Sequence, residues 1–170
     1  LHSFPTRRSS DLLSSAYLPG SLNIEIDSES RKLNVDTEWM LDFTSFNKIQ
    51  NIFGEMDIDL FASRLNYLID TYVSYRPDPT AFAVDAFSLD WSRFYAYAFP
   101  FFSILGKILQ KIEQDEACIV LVCPLWTSRH WFTKLLRLLV DMPRLLPTTY
   151  KLHLPQDPQR VHLLKIGRAS

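Results

Sequence analysis

The sequence predicts an α/β domain with helices on a mostly parallel sheet. Three observations point there. Ala117–Cys123, ACIVLVC, is almost wholly apolar and rich in β-branched residues, as strands buried on both faces are. Two segments, 43–53 and 104–112, carry apolar residues at helical spacing. Short strand-like runs alternate with those helices along the chain, an order that builds a parallel sheet. Composition agrees with one folded unit: 170 residues, 47% hydrophobic and 22% charged, close to globular averages. A net charge of −1 excludes a basic footprint spread over the whole chain, and leaves only local clusters for nucleic acid. Aromatics reach 14%, enough for a ring-rich core or an adhesive face.

In chain order, residues 1–12, LHSFPTRRSSDL, share no period with the rest of the chain. They resemble translated sequencing-adapter sequence, as does the closing KIGRAS, and neither is given a function. Pro19-Gly20 marks a turn. Leu22, Ile24 and Ile26 then alternate with polar residues, which predicts a short strand or extended N-terminal arm, followed by a polar linker to Asp36. Asp42 is a suitable N-cap for a helix over 43–53, with Phe43, Phe46, Ile49 and Phe53 on one side and Gly54 as its stop. Ile58–Phe61 reads as the first core strand. Tyr72–Tyr75 and Val84–Phe87 read as further strands, separated by the two prolines of Arg76-Pro77-Asp78-Pro79. Leu89-Asp90-Trp91 reads as a turn before a strand at Tyr95–Phe99. Ser103 is expected to cap a helix bearing Leu105, Ile108, Leu109 and Ile112. After ACIVLVC, Thr127 is expected to cap a helix over 128–140, with Trp131, Leu135, Leu138 and Leu139 inward and Arg129, Lys134 and Arg137 in water. Tyr150–Leu154 alternates again and reads as an edge strand. The order amounts to a Rossmann-like three-layer domain.

Cys118 and Cys123 lie five residues apart in one strand, so they point to opposite faces and cannot pair with each other. They read as buried thiols of a reducing, intracellular compartment, cytoplasmic or nuclear. No apolar run is long enough for a membrane span, and no metal-ligand spacing, glycine-rich phosphate loop or nucleophile elbow is present.

Chemistry is expected at the carboxyl ends of the strands. Asp59 is a carboxylate inside an apolar run, expensive to bury unless donors meet it; a structural acid bonded to the amides of the next loop is the plainer reading. Asp57 is its solvent-facing neighbour. Phe99-Pro100-Phe101-Phe102-Ser103 could stack on a flat ring, or simply pack the core. His130, beside Trp126 and Trp131, has the chemistry of a general base, but no carboxylate or nucleophile is placed to orient it. Arg129, Lys134 and Arg137 are as well explained by a solvated helix face as by phosphate contacts.

Two resemblances rest on these residues. LPGSLNIEIDSESR resembles the end of a retroelement ribonuclease H domain, in which Asp27 would stand at the last metal-binding aspartate. That implies magnesium only in an intact ribonuclease H, since the other acids are missing here and Asp27 by itself cannot support hydrolysis. TEWML, FG, DIDLFASRLN, YVSYRPDP, DAFSLDW, YAFPFFS, LQKI and VLVCPLWTSRHWF look like the region after ribonuclease H in DIRS-type, tyrosine-recombinase retrotransposon polyproteins. The same order resembles phage-type DNA adenine methyltransferases. By that match Asp59, Ala62, Ser63 and Asn66 stand at the segment that helps hold S-adenosylmethionine, and Phe99, Pro100, Phe102 and Ser103 at the loop that takes the target adenine. The loop departs from the family: Phe99 replaces its polar first residue and Phe101 its second proline. A phenyl ring accepts no hydrogen bond from an amino group, and loss of one such positioned contact costs ~10²–10³ in rate.

The expectation is therefore a non-catalytic, methyltransferase-like connector with no cofactor, partnered by the remainder of its polyprotein and possessing no membrane segment. Its divisions would be a ribonuclease H remnant and linker over 13–36, the α/β domain over 37–154, and a tail over 155–170. An active S-adenosylmethionine-dependent enzyme is one alternative. The other is a protein-interaction domain using an exposed patch of Trp126, Trp131 and Tyr75.

Overall fold

A computed structural model describes residues 39–146 in full, together with the backbone of 13–18, 152–154 and 157–162. The expected strand at Leu22–Ile26 and Asp27 lie outside the described residues. The strands are β1 (Leu13–Leu18), β2 (Met40–Leu41), β3 (Ile58–Ala62), β4 (Tyr72–Ser74), β5 (Ala83–Val84), β6 (Tyr95–Ala98), β7 (Cys118–Pro124), β8 (Arg144–Leu145), β9 (Leu152–Leu154) and β10 (Asp157–His162). The helices are α1 (Phe43–Phe53), α2 (Leu105–Asp115) and α3 (Phe132–Leu138), with 3-10 turns at 86–88, 91–93 and 102–104.

The main sheet runs β5-β4-β3-β6-β7-β1-β8, and its strand pairings are all parallel. From β3 the chain steps outward to β4 and β5, then returns to the other side of β3 for β6 and β7. That reversal makes the β3–β6 junction the switch point of a Rossmann-like sheet. Parallel crossovers are right-handed, so the 63–71 connection covers one face while the 85–94 connection, α2 and α3 cover the other. Contacts agree: on the first face Phe46 of α1 meets Tyr97 edge-on at 5.1 Å. On the second, Lys107 of α2 sits 3.8 Å over the Phe87 ring, and Lys134 of α3 bonds Glu113 of α2 at 2.6 Å.

Local chemistry explains the elements. Asp42 caps α1 by accepting from the Ser45 N–H at 3.0 Å, and Gly54 ends it at φ 88°, a conformation that a side chain would strain. β7 has Ile119 to Cys123 wholly buried, as its apolar run requires.

Several expectations need correction. Ser103 is exposed and does not cap α2; a 3-10 turn intervenes, and Ile104 takes the N-cap position without a side-chain bond. Thr127 does not cap α3 either, because 127–131 form turns and the helix begins at Phe132. The turns leave Arg129 placed over the Trp126 ring at 5.3 Å. The strand expected over 84–87 shrinks to Ala83–Val84, because Asp85 accepts from the Phe87 N–H and starts a 3-10 turn. The strand expected over 150–154 joins a separate antiparallel sheet, β10-β9-β2, which draws Met40–Leu41 in as a strand. Trp126 and Trp131 are 3% and 6% exposed, so the aromatic patch expected around them does not form; only its third member, Tyr75, is exposed.

The 85–94 connection is anchored by Asp115 at the end of α2. Its Oδ2 accepts from the Trp91 N–H at 2.9 Å and lies 2.8 Å from the Lys111 ammonium. Asp115→Ala removes a mostly buried charged acceptor, so a loss of about 1.5–3 kcal/mol is expected in urea unfolding. A change under about 0.5 kcal/mol would show that the anchor is dispensable.

Candidate functional site

The β3–β6 junction brings Asp59 and Tyr97 together as paired positions on adjacent strands. Cross-strand partners project to the same face, so carboxyl and phenol lie side by side beneath the 63–71 connection. Asp59 is 2% exposed and Tyr97 1%. The Asp59 carboxyl accepts from the Leu68 N–H through Oδ2 and from the Phe61 N–H through Oδ1, each at 3.3 Å. Both bonds are long, and burial outweighs them: it lifts the carboxyl from its usual value near 3.8 to about 7. Burial also holds the Tyr97 phenol well above its usual range, with the neighbouring Asp59 charge adding to the effect. The Tyr97 hydroxyl has no hydrogen-bond partner among the described residues.

A small cavity adjoins this pair, lined by Trp39, Met40, Asp59, Phe61, Asn66, Leu68, Tyr97 and Phe99. Its volume is about 10 Å³, the scale of a single water molecule. Trp39 and Met40 arrive from the second sheet, and Asn66 holds them by donating its side-chain N–H to the Trp39 carbonyl at 3.4 Å.

The remaining expected site residues serve local structure. Ala62 is buried at the end of β3. The Ser63 N–H donates to Asn66 Oδ1 at 2.7 Å, the Leu65 N–H donates to Ser63 Oγ at 3.1 Å, and the Asn66 N–H donates to the Ser63 carbonyl at 3.2 Å. This is a closed turn in which side chains answer backbone groups. After β6, Phe99 is half-buried against the cavity and Pro100 is buried. Phe102 is buried between Phe99, at 6.2 Å, and Trp126, at 5.5 Å. Ser103 stays exposed and apart from the cavity lining. Asp57 is exposed as expected and accepts from the Tyr95 N–H at 2.8 Å.

Asp59, Asn66 and Phe99 thus converge, while Ser63, Phe102 and Ser103 face other tasks. Sequence reasoning does not single out Tyr97 or Trp39 for this site. The Tyr-Ala-Tyr-Ala alternation of β6 signals that one tyrosine face is buried, but pairing Tyr97 with Asp59 needs the strand register. Among the described residues no group of three or more His, Cys, Asp or Glu side chains is arranged to hold a metal ion, and no helix is long and apolar enough to cross a membrane. Neither Cys118 nor Cys123 is disulfide-bonded, and burial pushes the Cys123 thiol up to about 12. Comparison with protein-family models, curated proteins and solved structures gave no match.

Proposed function

We propose that this chain is an intracellular methyltransferase-like connector, without catalytic activity, from a DIRS-type retrotransposon polyprotein. It would lie between ribonuclease H and the segments downstream, with the rest of the polyprotein as its partner and nucleic acid within reach. The block order of the sequence supports the parentage. One structural observation carries the non-catalytic reading: Trp39, Met40, Leu68, Tyr97 and Phe99 crowd the crevice beside Asp59 down to about 10 Å³. A site for a nucleoside-sized ligand takes roughly 300 Å³ or more. Phe99 adds to this, since its ring stands where the resemblance would place an acceptor for the adenine amino group. Asp59 then remains as a structural acid that ties the 63–71 connection to β3.

Isothermal titration of the 170-residue chain with S-adenosylmethionine is expected to give no micromolar binding. Methyl transfer to duplex DNA from radiolabelled cofactor is expected to stay at background. Transfer that disappears in Asp59→Ala would establish the active enzyme instead. The interaction-domain alternative has lost its tryptophans; Tyr75, its third residue, stands in water with Phe82 and Val84, while other exposed apolar side chains such as Phe43, Phe101 and Met142 are spread along the chain.

A further inference from the structure

Three neighbouring strands set a row of polar side chains across the sheet: Tyr72 on β4, Asp59 on β3 and Tyr97 on β6, with Asp59 paired to both tyrosines. The two tyrosines are treated differently. The Tyr72 hydroxyl is engaged by Asp78, at 3.0 Å, and by Thr80, so its polar end is satisfied at the 75–82 connection. The Tyr97 hydroxyl is deeply buried and meets no protein partner among the described residues. Beside it, Asp59 receives only two long backbone bonds among the described residues, although a carboxyl offers about four acceptor positions. Two neighbouring polar groups with unused capacity share the wall of one cavity. Buried polar groups are as a rule paired with protein or with an ordered molecule.

We propose that this cavity is a binding site for one water molecule, held between the Asp59 carboxyl and the Tyr97 hydroxyl. The volume admits a molecule of that size and excludes an organic ligand. The lining argues against a cation: among the described residues Asp59 is its only ionised-type oxygen donor, and Asn66 and Tyr97 are the other polar side chains. Among the described residues, the elements packed around Asp59 bring no further charge to the cavity. The 63–71 connection contributes Asn66 and Leu68, the 39–41 segment Trp39 and Met40, and β6 Tyr97 and the adjoining Phe99. On the neighbouring β4, Tyr72 is occupied elsewhere. The raised affinity of Asp59 for its proton fits a carboxyl that exchanges hydrogen bonds with a neutral molecule. Protonated, Asp59 donates to the water or accepts from it; ionised, it takes a water hydrogen, and the water's oxygen accepts from Tyr97. The site stands or falls independently of the retrotransposon parentage.

The test is water–protein cross-relaxation by NMR on the isotope-labelled 170-residue chain, with Tyr97→Phe as the variant. Cross-peaks from a long-lived water to the Phe61 and Leu68 amide protons are expected in the parent protein and not in the variant. The variant should melt at a lower temperature, and its Asp59 carboxyl, followed by carbon NMR, should titrate at higher pH because a donor to the carboxylate is gone. An unused hydroxyl predicts the reverse: no such cross-peaks, an unmoved titration, and a melting temperature that holds or rises. Absence of the cross-peaks in the parent overturns the proposal by itself, so the test survives a variant that fails to fold.

Discussion

Unfolding free energy is expected to fall as pH rises from about 4 to about 7, and Asp59→Asn should flatten that slope. The sign comes from the direction of the shift. Asp59 keeps its proton in the folded protein up to about pH 7, whereas in the unfolded chain it releases it near 3.8. Between those values the native state binds more protons than the unfolded one, so raising pH favours unfolding. The stabilisation is fully present below about pH 4, declines through the window and is gone above about 7. At about 1.4 kcal/mol per pH unit the whole change is at most about 4 kcal/mol. Asp78 and Asp90 act in the opposite direction, their bonds to Thr80 and Ser92 holding them below the usual carboxylate value. Their contribution is present above the unfolded value and is lost as pH falls through the folded one, so it does not mask the Asp59 window. Urea titrations at several pH values, on parent and variant, provide the measurement. Equal slopes for both proteins would refute a carboxyl that stays protonated when folded.

Trp91→Ala is expected to lose about 3–5 kcal/mol, the usual range for emptying a buried tryptophan site. Trp91 is fully buried and lies within 6.0 Å of both Phe61 and Phe87. Its indole N–H donates to the Ala86 carbonyl at 2.7 Å, a bond that the alanine would remove. Trp91→Phe keeps most of the ring and drops that bond, so a loss of about 1 kcal/mol beyond the packing change is expected. Urea midpoints separate the two, and an alanine variant within about 1 kcal/mol of the parent would mean that the 85–94 connection does not depend on its indole.

Features set by local rules are legible in the sequence. Helix α1 can be read in full because a periodic stripe, a side-chain cap at Asp42 and a glycine at 54 all agree. β7 can be read because an unbroken apolar run has few other places to go. The α3 boundary is displaced because Thr127 has the chemistry of a cap, yet burial of Trp126 and Trp131 commits 127–131 to turns first. Met40–Leu41 is hidden as a strand because its partner, Leu152–His153, lies far along the chain. The site divides in the same way. Asp59 is conspicuous as an acid in an apolar run, whereas Tyr97 and Trp39 reach it only through sheet register and a lid from the second sheet.

The position of β1 carries a consequence for how the chain assembles. Leu13 pairs with Ile119, about a hundred residues downstream, and β1 fills the place between β7 and β8. Pairings of such long separation slow folding, because the loop must close before the contact gives any return. On the ribosome, β1 emerges ahead of its partners β7 and β8 and must therefore wait while most of the sheet is made. Until it docks, one flank of β7 presents unpaired amides to whatever strand arrives first.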